Sequence, residues 1–280
     1  MKILVTNDDG YNATGIRILT EIVRPMGEVT VVAPKHHQSG MAMAVNLGYK
    51  PIAVKKLSET PSERRYYLSG TPASCVKYAL NILYSPGKLP GLVISGINHG
   101  GNYSSAGLYS GTLGAAMEGA LLNCTAIAVS LDNLTPEEED FDIVRAYLPR
   151  LIEKLTALRD NRFGVVYNIN FPAVRPEECK GVRVTCQGVM RWVREFRPFV
   201  HDTFRKIYPD PEKSGLSADV KLDEGEELVA MIGEVVLDPS NPADCDLEMI
   251  RRGYITINAI NLDNTDAIEQ ARLKESGIEE

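Results

Sequence analysis

Ile3-Leu4-Val5-Thr6-Asn7-Asp8-Asp9-Gly10 is the stretch from which the rest of this chain can be read. Three apolar, β-favouring residues run without polar alternation into two adjacent carboxylates and a glycine. An uninterrupted apolar run of this length fits a parallel strand buried on both faces. Open α/β sheets place their ligand sites just beyond the carboxyl ends of such strands, where Asp8 and Asp9 fall. Successive strand residues point to opposite faces, so both carboxylates reach one site only if the chain leaves strand geometry at Asp8. Gly10 permits that bend. Two like charges side by side are unfavourable unless a cation is bound between them, and oxygen ligands suit magnesium, manganese or calcium. A plain Asp-Asp-Gly turn, with one aspartate capping the next helix, accounts for the same residues.

Outward from this octet, β and α signals alternate. Ile16, Leu19, Ile22 and Val23 have helical spacing, and Pro25 and Gly27 stop the helix. A second apolar strand over 29–33 ends at Pro34. Residues 35–48 read as a loop, 52–57 and 65–69 as strands, and 72–83 as a helix capped by Thr71 with Pro72 at its first position. A short strand over 92–95 feeds the glycine-rich stretch Gly96-Ile97-Asn98-His99-Gly100-Gly101-Asn102, read as a loop. Ser110-Gly111-Thr112 opens a helix rich in small residues. A strand over 125–131, a helix over 137–158 and a strand over 165–171 follow. This alternation predicts an α/β fold with a mostly parallel sheet and helices on both faces. Beyond Pro172 the texture changes. A strand over 182–187, an aromatic and charged stretch over 191–208, a loop over 209–217 and an acidic stretch over 219–227 come first. A short helix over 243–252, a strand over 254–260 and a terminal helix over 265–274 complete the chain. Residues 1–172 thus read as a core, and 173–280 as an extension suited to subunit contacts rather than an independent domain.

With 280 residues and a formal charge of −7, the chain has no basic footprint for a nucleic-acid polymer or an anionic membrane. Its five cysteines form no Cys-x-x-Cys pair, which fits thiols in a reducing compartment. One lysine and three apolar residues at the start are too short for a signal peptide, and no apolar run nears ~18 residues. A cytoplasmic location is expected.

Several strand ends carry residues of related chemistry. Ser39, with Gly40 behind it in the loop after the second strand, either faces the carboxylates or is an ordinary turn serine. Asn98 offers a carboxamide oxygen acceptable to a hard cation. His99 is either a general acid or base or a solvated loop residue. His36 and His37 are adjacent rather than four apart and read as surface loop. Ser110, Gly111 and Thr112 lie at a helix N-terminus, where free N–H groups and the helix dipole favour an anion. Carboxylates, a hydroxyl, an amide oxygen and an anion seat together suit a hard divalent cation beside a phosphate. No Gly-x-Gly-x-x-Gly fingerprint follows the first strand, which argues against a nicotinamide-dependent oxidoreductase.

These stretches resemble, in order, the motifs of the SurE (survival protein E) family. The matching residues are Val5 to Gly10 with Gly15-Ile16, Val32-Ala33-Pro34 with Gln38-Ser39-Gly40, Gly70-Thr71-Pro72-Ala73, Ser95-Gly96-Ile97-Asn98, Tyr109-Ser110-Gly111-Thr112 and Asn168-Ile169-Asn170-Phe171-Pro172. Two places depart from the family pattern, Asn102-Tyr103-Ser104 and Asn258-Ala259-Ile260. The resemblance implies a Rossmann-like core and a metal-dependent phosphatase acting on nucleoside 5′-monophosphates and, to some extent, 3′-monophosphates. It implies one divalent cation per subunit, Mg2+ or Mn2+, held by Asp8, Asp9, Ser39 and Asn98, with Asp8 and Asp9 as catalytic residues. Ser110, Gly111, Thr112, Gly40 and Asn102 would contact substrate, and C-terminal elements would build a homodimer or homotetramer. A metal- and nucleotide-binding regulator without turnover is the alternative.

Overall fold

A computed structural model describes residues 1–85, 87–158, 162–202 and 220–278. The loop read over 209–217 lies outside the described residues. Thirteen strands are described. Nine form one sheet in the order β3-β4-β2-β1-β5-β6-β7-β13-β8, built from β1 (Lys2–Thr6), β2 (Glu28–Pro34), β3 (Val54–Glu59), β4 (Glu63–Leu68), β5 (Leu92–His99), β6 (Thr125–Leu131), β7 (Val165–Phe171), β8 (Val182–Val184) and β13 (Ile255–Asn261). Strands β4, β2, β1, β5, β6 and β7 run parallel. β3 lies antiparallel to β4, and β13 antiparallel to β7. The fold is therefore α/β with a mostly parallel sheet.

Strand alternation divides the core between two faces. Ile3 and Val5 of β1, Val29 and Val31 of β2, and Ile127 and Val129 of β6 pack with helices α1 (Thr14–Val23) and α4 (Asp142–Ala157). Leu4, Val32 and Val93 point the other way, toward α2 (Pro72–Tyr78), while Ala126 and Ala128 of β6 meet α3 (Gly111–Leu121). The small residues of α3 allow a close approach: a Cβ on Gly119 would lie 2.7 Å from Val93 Cβ. The sheet is thus covered on both faces, as parallel sheets require.

Chain order reverses at β1. From β1 the chain moves outward to β2 and β4, then returns to β5 on the other side of β1. The crevice above β1 and β5 is a topological switch point, the expected ligand position in an open α/β sheet.

The stretch after Ser95 corrects the sequence reading. Gly96 to His99 is strand rather than loop: pairing with β6 breaks after Ser95 and resumes with Asn98 beside Ser130 and His99 beside Leu131. Glycine at 96 reconciles the two, because its φ is +137° and a Cβ there would lie 2.3 Å from the Val129 carbonyl oxygen. Gly15 of α1 is equally constrained, since its Cβ would sit 2.0 Å from the Ile97 carbonyl oxygen. Gly15→Ala should therefore cost about 1–3 kcal/mol of stability through overpacking, read by urea unfolding. An unchanged midpoint would show that α1 can slide away from β5. The helix read over 72–83 keeps α geometry only through Tyr78, and residues 79–83 widen into a π turn.

The later chain returns to this sheet through β13 and β8. Between them it forms two short ribbons. β9 (Met190–Val193) pairs with β12 (Glu234–Leu237), and β10 (Phe196–Pro198) with β11 (Val229–Met231). These ribbons form an arm over the crevice. Among the described residues no helix is long and apolar enough to cross a membrane.

Candidate functional site

The tip of β1 is held open by its own polar residues. Asn7 Nδ2 donates to the Gly10 carbonyl at 2.9 Å, and Gly10 takes a φ of +105°. That turn carries Asp8 and Asp9 out of strand geometry and brings both to the same edge. Asp8 is only 3% exposed. Its carboxylate accepts the Thr112 hydroxyl from the first turn of α3, and its carbonyl accepts the Gln38 N–H at 2.8 Å. Gly111 leaves room for Asp8, since a Cβ there would lie 2.9 Å from Asp8 Cβ. Asp9 accepts the His99 N–H at 3.3 Å, and His37 Nδ1 stands 3.6 Å from Asp9 Oδ1.

Both carboxyls titrate above the usual carboxylate range. Burial is the main cause at each. Asp9 is raised further by the neighbouring Asp8 charge, whereas the Thr112 hydrogen bond opposes the shift at Asp8. The nearby imidazoles move the other way. Burial lowers His37, partly offset by Asp8, and burial brings His99 down to about 4. Both histidines are therefore neutral at pH 7, and among the described residues no lysine or arginine pairs with Asp8 or Asp9.

Asp8, Ser39, Gly40, Asn98, Asn102 and Ser110 line one cavity of about 910 Å³. Asn98 Nδ2 donates to the Gly100 carbonyl at 2.7 Å, so its carboxamide oxygen is the group left for the cavity. Ser39 and Gly40 are exposed residues of the same lining. Ser110 caps α3 through the Leu113 N–H at 3.1 Å. Asn102 is tied down on three sides. Its Nδ2 donates to Ser130 Oγ at 2.8 Å, its N–H to Asn170 Oδ1 at 2.7 Å, and its carbonyl accepts Asn168 Nδ2 at 2.7 Å. Thr112 is fully buried and reaches the site through Asp8 rather than across the cavity. Asp9 lies just behind Asp8, outside the cavity lining.

The family model described as Survival protein SurE matches residues 3–194. The chain belongs to the SurE family. It is 36% identical over 273 residues to the 5′-nucleotidase SurE of Synechococcus elongatus, covering 95% of each chain. It is 36% identical over 270 residues to the 5′-nucleotidase SurE of Caldanaerobacter subterraneus subsp. tengcongensis, covering 95% of this chain and 93% of that one. The crystal structure of the SurE protein from Aquifex aeolicus superimposes with a TM-score of 0.74 at 27% identity, covering 99% of both chains.

Within this SurE fold the histidines sit differently from the sequence reading. His37 is half-buried against Asp9, not a surface-loop residue, because the Gln38 N–H draws its loop onto Asp8. His36 is exposed. His99 is not a solvated loop residue either. It ends β5, its ring centroid lies 5.9 Å from that of Phe141, and its Nε2 is buried with no hydrogen-bond partner among the described residues. Tyr109 falls within a matched motif, but the rest of the far wall of the cavity, Trp192 and the apolar residues of β11, was invisible to motif reading. Its only signal was the aromatic content of the stretch beginning at residue 191.

Proposed function

We propose that this protein is a divalent-metal-dependent 5′-nucleotidase of the cytoplasm. It hydrolyses nucleoside 5′-monophosphates, and to some extent 3′-monophosphates, to nucleoside and phosphate. One observation carries the reading: Asp8 lines a cavity with Ser39 and Asn98, and the buried carboxyl of Asp9 lies directly beside Asp8, neither with a cationic partner among the described residues. The relatives that bear the name 5′-nucleotidase support it.

The donor set fits a hard cation. Two carboxylates, a hydroxyl and a carboxamide oxygen match Mg2+ or Mn2+. Among the described residues no group of three or more His, Cys, Asp and Glu could hold a metal, so Ser39 and Asn98 would have to complete the set. When bound, the cation supplies Lewis acidity toward a phosphoryl oxygen of the substrate. The chain does the rest. The N-terminus of α3 at Ser110 and Gly111 receives the phosphoryl oxygens. Thr112 and the Gln38 N–H hold Asp8 in place, and the His99 N–H holds Asp9. The cysteines at 75, 124, 179, 186 and 245 form no disulfide among the described residues, which accords with a reducing compartment. We further propose a homodimer or homotetramer, supported by Phe196 and Val235, which the arm leaves exposed.

Phosphate release from AMP and GMP should fall to background in a chelator and return with Mn2+ or Mg2+. Without substrate, the cation should also raise thermal stability, by about 2.7 kcal/mol at a hundredfold excess over Kd. AMP binding without phosphate release would favour the non-catalytic regulator.

A further inference from the structure

The cavity is much larger than a phosphate ion needs, and its two ends differ in chemistry. At one end are Asp8, Ser39, Asn98 and Ser110. At the other, the rings of Tyr109 and Trp192 meet edge to face, with centroids 5.8 Å apart and planes at 80°. Tyr109 directly precedes Ser110, so its ring stands beside the N-terminus of α3. Tyr109 is 60% exposed and Trp192 is half-buried, so both present apolar ring surface to the cavity. Val229 and Met231 of β11 and the adjoining Ile232 add apolar surface to the same cavity, which Glu195 and Arg197 also line. Apolar surface left open on a cavity wall marks a binding site.

We infer that the Tyr109–Trp192 corner seats the nucleobase of the substrate. This rests on the nucleotidase reading above and adds to it the part of the ligand that the aspartate end does not touch. A flat heterocycle is the chemistry an aromatic corner recognises. It stacks on one ring and meets the edge of the other, and the preference is tolerant of base identity because every base has a π-face. The corner is pre-set rather than assembled on binding. The Met190 N–H donates to Ser105 Oγ at 3.2 Å, fixing β9 to the turn that carries Tyr109.

Trp192 is the only tryptophan in the chain, so its emission reports on this corner directly. In the presence of Mn2+, AMP should change that emission saturably, while ribose 5-phosphate and orthophosphate should not. Trp192→Leu should raise KM for AMP about tenfold. Its loss on AMP should exceed its loss on ribose 5-phosphate by the same factor, and Trp192→Phe should recover most of the difference. Far-UV circular dichroism checks that each variant is folded. Equal losses on AMP and ribose 5-phosphate, or an emission change no different for AMP than for orthophosphate, would overturn the assignment. If the parent protein releases phosphate from neither compound, the nucleotidase reading fails. The emission titration then decides the base site alone: an AMP-specific change supports it and its absence overturns it.

Discussion

Asp9→Asn should reduce kcat/KM for nucleotide hydrolysis by at least about 10²-fold while leaving the metal-free protein as resistant to urea as its parent, or more so. The two halves of this result have one cause. Asp9 is buried beside Asp8, and desolvation and the Asp8 charge together push its carboxyl well above the usual range. In the folded protein without a cation, that pair is a cost. A carboxamide of the same shape removes one of the like charges and fills the same space, so folding loses nothing through packing. On the proposed metal-dependent reading, function loses the negative charge that would draw a divalent cation to the tip of β1. The variant should also lose most of the thermal stabilisation expected of Mn2+ in the parent, which separates failure to bind metal from failure of a later step. Full activity in Asp9→Asn, or a lower urea midpoint than the parent in chelator, would contradict this account of why two carboxylates share that position.

How far the sequence could be read follows from what each element has to bury. β1, β2, β6 and β7 lie in the middle of the sheet between helices, so apolar residues dominate them even where Thr30, Ser130, Asn168 and Asn170 interrupt, and their positions were legible. The edge at which Asp8, Ser39, Asn98 and Ser110 gather was legible for the same reason, because parallel neighbours deliver their following loops to one side. β5 was read too short because its glycine at 96 signals a turn. Here that glycine serves close packing against the Val129 carbonyl while the strand continues. β13 was recognised as a strand, but its antiparallel insertion beside β7 depends on contacts far apart in sequence. The aromatic wall could not be placed because Trp192 and Tyr109 are separated by the whole of α3, β6, α4 and β7. Asp246 was the least legible of all. It sits in a stretch with Asp244 and Glu248 that looks like a solvated face, yet its carboxylate is fully buried.

That carboxylate supports the second large effect, on stability. Among the described residues five donors converge on it. Oδ1 accepts from the Ser104 hydroxyl at 3.0 Å, the Gly188 N–H at 2.9 Å and the Leu247 N–H at 2.7 Å. Oδ2 accepts from the Ser104 N–H at 2.8 Å and Asn258 Nδ2 at 2.8 Å. Asp246→Ala strands these buried donors and should destabilise the protein by about 3–5 kcal/mol, a large share of the ~5–15 kcal/mol typical of a folded protein. Asp246→Asn should not rescue it, although the shape is kept. Whichever way the carboxamide turns, its NH2 faces a backbone N–H, of Ser104 on one side or of Gly188 and Leu247 on the other, and neither can become an acceptor. Urea unfolding of the two variants checks this, and a near-parental midpoint for Asp246→Asn would show that the negative charge is not what the site requires. The same carboxylate joins the turn leading to Tyr109 with the segment leading to Trp192. Where Asp246→Asn remains folded, loosening that joint should raise KM for AMP more than it lowers kcat, because the aromatic corner moves while Asp8, held by Thr112 and Gln38, stays in place.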